Sequence, residues 1–126
     1  MKRVISTSDA PAAVGAYSQA TTNGTLCFTA GQIPLTPDGE LLADEPVAVQ
    51  TRQCLDNVRA ILESEGCSMD DVLKVTVFLD DIAAFEEMND AYADYFPNDP
   101  PARSAVEVAN LPKGVAVEIE AIADVA

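Results

Sequence analysis

Arg103 follows the run Pro100-Pro101-Ala102, where a stiff backbone can hold a planar fork of donors in place. A guanidinium presented in this way can grip a carboxylate through two parallel hydrogen bonds, or close a salt bridge with one of the chain's many acids. Glu107, Glu118 and Glu120 fall near the end of the chain. An acid on a strand is ordinarily solvated, but one set against an apolar surface has its pKa raised and can exchange a proton with water. Tyr17 can lend a hydroxyl to such a site or simply be packed. Gly31 offers either a backbone amide open to a ligand or a plain bend, and Asn89 is either a surface polar residue or a site residue.

What the chain lacks narrows the chemistry further. It has no histidine, so a Ser-His-Asp or Cys-His nucleophile is excluded and the commonest transition-metal ligand is missing. Reactions must run on carboxylates, Arg, Tyr, Cys, hydroxyls, backbone groups and water. No spaced series of oxygen ligands ending in a bidentate glutamate is present, and neither a metal nor a cofactor is expected. Seven basic residues against 21 acidic ones give a net charge of −14, a field that repels polyanions, so nucleic acid is not an expected partner. With only Lys2, Lys74 and Lys113 as lysines, the acidity also resembles the solvated surfaces of proteins from a salt-rich cytoplasm. Cys27, Cys54 and Cys67 fit neither a disulfide framework nor a zinc pattern and are expected as buried, reduced thiols. No run resembles a signal peptide or a bilayer span, so no membrane association and a cytoplasmic location are expected.

These residues need a scaffold, and 126 residues suffice for a single domain over 1–126. Asn23-Gly24 predicts a tight hairpin within Tyr17–Pro34, its second strand at Leu26–Thr29. Asp38-Gly39 marks a further turn. Asp44-Glu45-Pro46 predicts a helix start, the helix running from about Pro46 to Glu65 and ending at Gly66. Thr51, Leu55, Val58 and Leu62 form its inner face, with Gln50, Arg52, Asp56, Arg59 and Glu63 on the others. The β-branched run Val72–Leu79 predicts a central strand. A second amphipathic helix is predicted over Ile82–Phe96 from the stripe Phe85, Met88, Tyr92, Tyr95 and Phe96, with Pro97, Pro100 and Pro101 ending it.

Two last strands are predicted at Ser104–Ala109 and Val115–Val125. The second places Val115, Val117, Ile119, Ala121 and Ala123 on one face and Glu118, Glu120 and Ile122 on the other. The order of elements implies a two-layer α+β architecture with both helices on one face of the sheet. The other face is left for self-association, for which a closed cyclic oligomer is the expected form.

The segments APAAVGAYSQA (10–20), FTAGQIPL (28–35), QTRQCLDNVRAILESEG (50–66), VTVFLDDIAAFEEMNDAYADYF (75–96) and PPARSAVEVANLPKGVAVEIEAIA (100–123) closely resemble the Rid family of reactive intermediate deaminases, also called YjgF. The similarity is collinear over almost the whole chain. It implies a chorismate-mutase-like fold, a mixed β-sheet packed on two helices, and a homotrimer with clefts between subunits. The implied reaction is cofactor-free hydrolysis of 2-imino acids, such as 2-iminobutanoate and 2-iminopropanoate, to 2-keto acids and ammonia.

By residue match, Arg103 binds the substrate carboxylate, Glu118 positions or activates water, Tyr17 lies near the substrate, Gly31 gives backbone to the cleft and Asn89 borders it. Ala105 stands where the family usually has cysteine; its N–H can still meet the carboxylate, but any role for a thiol is lost. Ala30 stands where a serine is frequent. The reaction suits a chain without histidine, because a protonated imine is already electrophilic and needs orientation and one water more than a strong base. A non-catalytic carboxylate-metabolite-binding or chaperone-like trimer is the alternative the same resemblance leaves open. A ribonuclease role, also attributed to relatives, is opposed by the net charge.

Overall fold

The structure is a computed structural model that describes residues 1–126. Its strands are β1 (Arg3–Ile5), β2 (Ala20–Thr22), β3 (Leu26–Thr29), β4 (Val72–Leu79), β5 (Ala102–Glu107) and β6 (Val117–Asp124); helix α1 (Val47–Glu63) follows β3, and α2 (Phe85–Ala93) follows β4. The six strands form one sheet in the order β1-β2-β3-β6-β4-β5. Only β4 and β5 run parallel, so the sheet is mixed, as expected. Strand β1 was not predicted: it is three residues long, with Ile5 alone buried, and leaves too little pattern to read.

Alternation along β6 organises the packing. Val117, Ile119, Ala121 and Ala123 are buried with Val75, Val77 and Leu79 of β4 against Leu55, Val58, Ile61 and Leu62 of α1 and Met88 and Tyr92 of α2. Each of the buried Val, Leu, Ile and Met side chains contributes about 1.5–3 kcal/mol by leaving water. Both helices lie on this one face. The opposite face is bare and partly apolar: Val4, Phe28 and Val106 are 56%, 44% and 43% exposed, with Phe78 and Ile122 half-buried beside them.

The helices are shorter at their ends than the sequence periodicity predicts. Ile82–Ala84 forms a separate 3₁₀ turn capped by the Asp81 carboxylate, and α2 stops at Ala93, ahead of the prolines. Helix α1 begins without an acid in its first turn and without a side-chain cap of its own. A cap arrives from the other helix instead: the Ala48 N–H donates to Glu87 Oε2 of α2 at 2.9 Å, a partner for one of the unpaired N–H groups every helix start exposes.

Gln50, which the helical spacing set apart from the inner face of α1, is nevertheless buried, at 2% exposed. Its Nε2 donates to the Ala43 and Glu45 carbonyls at 3.1 and 2.9 Å, and its Oε1 accepts from the Ala116 N–H at 2.8 Å. Asn57, also buried, donates to the Ile33 and Leu35 carbonyls at 3.2 and 2.9 Å. Together they fasten the long 30–46 connection, which touches the sheet ladder only through the Gln32–Ile119 bridge. Cys27, Cys54 and Cys67 are buried and free; burial pushes the Cys27 thiol up to about 11 and Cys54 well above its usual value, so none is a ready nucleophile.

Gln50→Ala removes these three bonds and orphans a buried N–H, so a loss of about 2–4 kcal/mol of stability is expected, read as a fall in the urea midpoint at constant slope.

Candidate functional site

Residues 6–19 form no helix or strand and are tied down by one side chain. Buried Gln19 donates through Nε2 to the Thr7 and Pro11 carbonyls at 3.0 and 2.8 Å and accepts from the Thr7 N–H at 2.7 Å. This loop carries Tyr17 to a cleft of about 530 Å³, which Gly31 and Glu118 also line. Three of the residues singled out in the sequence therefore meet in one place. Tyr17 is half exposed, its hydroxyl accepting from the Val14 N–H at 3.3 Å. Val14, Ile33 and Leu35 give the cleft apolar surface, and Lys113 lines it as its one cation.

Gly31 is there for space. A Cβ on it would lie 2.9 Å from Glu118 Cδ, nearer than carbon atoms pack, so the missing side chain is what admits the glutamate. Partial burial, with the Glu120 carboxylate adding to it, holds the Glu118 carboxyl above the ordinary range. Glu120 itself is exposed. Glu107 serves the scaffold: its Oε1 accepts from the Ile82 N–H at 2.9 Å, at the approach to α2.

Arg103 is elsewhere. It pairs in register with Val75 and shares that residue's helix-covered face, whereas Glu118 pairs with Phe78 on the bare face. Within one chain the two lie on opposite sides of the sheet. Arg103 lines a second pocket, of about 320 Å³, with Asn89, Tyr92, Phe96 and Pro101. Its Nη1 donates to Asn89 Oδ1 at 2.7 Å, and its guanidinium carbon sits 5.2 and 4.6 Å from the ring centroids of Phe85 and Tyr92. This sleeve fixes the fork by cation–π contact and one hydrogen bond. The salt-bridge alternative is not realised, since the ion pairs are Arg3–Glu65, Arg52–Asp94 and Arg59–Asp56. Ala105 shares the Arg103 face but is half-buried against the core and lines neither pocket.

Some of this was out of reach of the sequence. Phe85 and Tyr92 read only as core positions, and nothing in a helical stripe says that an arginine from a distant strand lies across it. The Tyr92 hydroxyl is buried with no hydrogen-bond partner, and burial pushes it up to about 12. A polar side chain beside an apolar helical stripe, as Asn57 is beside Val58, was the available sign of the clamps.

If Gly31 and Glu118 share one space, Gly31→Ala is expected to push the Glu118 side chain aside at a cost of about 1 kcal/mol, since the crowded atoms are the end of a flexible side chain. Combining it with Glu118→Ala is expected to recover most of that loss, a non-additivity measured by a double-mutant cycle of thermal or urea unfolding.

Residues 7–125 match the family model described as endoribonuclease L-PSP. The chain is 52% identical over 123 residues to a RutC family protein of Pyrococcus horikoshii, with 98% of each covered. It is 49% identical over 127 residues to the 2-iminobutanoate/2-iminopropanoate deaminase of Escherichia coli, again with 98% of each covered. The solved structure of E. coli TdcF with bound serine matches at a TM-score of 0.90 and 44% identity, covering 97% of this chain and 98% of that one. Likeness of this degree over almost the whole length places the chain in the endoribonuclease L-PSP family, whose members are also named YjgF, Rid or RutC.

Proposed function

We propose that this protein hydrolyses reactive 2-imino acids, 2-iminobutanoate and 2-iminopropanoate among them, to 2-keto acids and ammonia. The observation that carries the reading is Arg103: a guanidinium held on two rings and an amide, without an acid partner, in a chain with 21 acids. A substrate carboxylate would fill the open side of that fork through bidentate, charge-assisted hydrogen bonds. The name of the E. coli relative and the serine bound by TdcF, an amino acid with a carboxylate beside its nitrogen-bearing carbon, support the same assignment.

In this mechanism Arg103 orients the substrate and Glu118 directs one water. The water oxygen bonds to the imine carbon as the C=N electron pair moves to nitrogen, and the water's proton passes to Glu118. Transfer of that proton to nitrogen makes ammonia the leaving group; as the C–N bond breaks, the hydroxyl oxygen's electrons form the carbonyl and its remaining proton passes back to the Glu118 carboxylate. A carboxylate with a raised pKa suits proton exchange nearer neutrality. Tyr17, Gly31 and Asn89 complete the binding surface, and the backbone N–H of Ala105 is the further contact proposed for the carboxylate. No metal or cofactor enters the scheme.

Because Arg103 and Glu118 face opposite sides of the sheet, the reading requires the Arg103 pocket of one copy to close against the Glu118 cleft of another. The bare face with Val4, Phe28, Phe78, Val106 and Ile122 is the surface such an association would cover, and a homotrimer supplies three equivalent shared sites. Buried free thiols fit a reducing, cytoplasmic setting. RNA cleavage is not adopted from the family's description, since a net charge of −14 repels the substrate.

The test couples the protein to threonine dehydratase with semicarbazide as imine trap. Acceleration of 2-ketobutyrate formation is expected, lost in Arg103→Ala and reduced by about tenfold or more in Arg103→Lys, which keeps the charge but not the fork. No acceleration at any salt concentration, or a monomer by light scattering, would sink the reading. Ligand-induced thermal shifts without turnover would favour a carboxylate-binding protein instead.

The pH profile has its own signature. A Glu118 that acts as a carboxylate gives kcat/KM that rises with pH through its elevated pKa. Removing the neighbouring charge in Glu120→Gln is expected to move that acid limb to lower pH.

A further inference from the structure

Lys113 lines the same cleft as Tyr17, Gly31 and Glu118, and the mechanism leaves it unused. Of the seven basic residues, Arg3, Arg52 and Arg59 pair with acids, Lys74 donates to Ser104 Oγ at 2.9 Å, Arg103 donates to Asn89, and Lys2, near the start of the chain, is exposed without a partner and lines neither pocket. Lys113 has no acid within 4.0 Å and no side-chain hydrogen bond, though the chain carries three acids for every base. The two cations that line pockets, Arg103 and Lys113, are thus both without an acid partner.

The backbone at this residue makes the choice of lysine harder to explain by structure. Lys113 sits at φ 58°, ψ 20°, and Gly114 follows at φ 71°. A lysine adopts that left-handed conformation only against a steric penalty that glycine or asparagine largely escapes. The turn alone therefore gives no reason for a lysine, and strained residues of this kind concentrate at ligand sites. The cleft volume of about 530 Å³ falls in the range that admits ligands well beyond a four-carbon acid.

We propose that Lys113 is a specificity-determining residue that receives a second anionic group, at the far end of the side chain of a dianionic 2-imino acid. The inference rests on the deaminase reading. In a molecule of charge −14, with Glu118 as the one acid lining the cleft, a second negative charge on the substrate is disfavoured unless a local cation meets it. Lys113 is the one cation placed to do so, and for monoanionic imines with short apolar side chains it has nothing to contact.

The experiment uses the full-length protein, its Lys113→Gln variant and its Lys113→Arg variant. Amino-acid oxidases acting on 2-aminobutyrate and on glutamate generate the monoanionic and dianionic imines in situ, with catalase present, and semicarbazone formation reports the imine that escapes hydrolysis. Lys113→Gln is expected to lower kcat/KM for the glutamate-derived imine about tenfold, through KM, while the 2-aminobutyrate-derived imine is turned over unchanged. Lys113→Arg is expected to restore the dianionic substrate, which a merely structural role in the turn would not predict. Unchanged thermal unfolding of Lys113→Gln checks that the exposed side chain is not needed for folding. Acceleration of neither imine by the unaltered protein overturns the deaminase reading and the inference with it. Acceleration of the monoanionic imine alone, or an equal effect of Lys113→Gln on both substrates, overturns the inference and leaves the deaminase reading standing.

Discussion

Side chains in a β-strand alternate between the two faces of its sheet, and the arrangement of this molecule follows from that alternation. With helices on one face only, each strand has a covered side and a bare side. Register then puts Arg103 beside Val75 on the covered side and Glu118 beside Phe78 on the bare one. A slip of one residue would exchange every side chain between faces, which would drive Glu118 and Glu120 into the core. The buried row Val117, Ile119, Ala121 and Ala123 forbids that slip. The core therefore also fixes which chemical groups one chain can and cannot bring together.

The two pockets are built by different means. The Arg103 pocket rests on regular elements, because α2 presents Phe85, Asn89 and Tyr92 along one side and β5 lays the arginine across them. The Glu118 cleft is bordered by irregular chain, and buried amides do there what strand ladders do elsewhere. Gln19 holds the 6–19 loop, while Gln50 and Asn57 hold the 30–46 connection. A side-chain amide both donates and accepts, so one such residue satisfies several backbone groups that would otherwise be buried unpaired.

Much of this was legible in the sequence where a period was long enough to register. Strands β4 and β6 and both helices followed from their apolar spacing, and the Asn23-Gly24 turn from the backbone it requires. The family resemblance drew Arg103, Glu118, Tyr17, Gly31 and Asn89 to one cleft; within one chain Tyr17, Gly31 and Glu118 line one pocket, and Arg103 and Asn89 another. The misreadings have physical causes. Gln50 fell outside the stripe of Thr51, Leu55, Val58 and Leu62, and only the loop that wraps over it makes its burial favourable. Strand β1 was invisible because three residues carry no alternation worth the name. The end of α2 was set too late because its aromatic stripe continues into the following turn, where Phe96 is buried without being helical.

Helix α1 draws the cap for its first turn from Glu87, which lies 39 residues further along the chain than the N–H it receives. The start of this helix is therefore not a local event. The N–H that begins α1 and the carboxylate that satisfies it are brought together only by the packing of α2 against α1. A helix that reads as an autonomous unit thus has a long-range step built into its beginning. The joining of the two helices closes a loop that contains the whole of β4, so the one contact ties the beginning of α1 to chain on both sides of that strand.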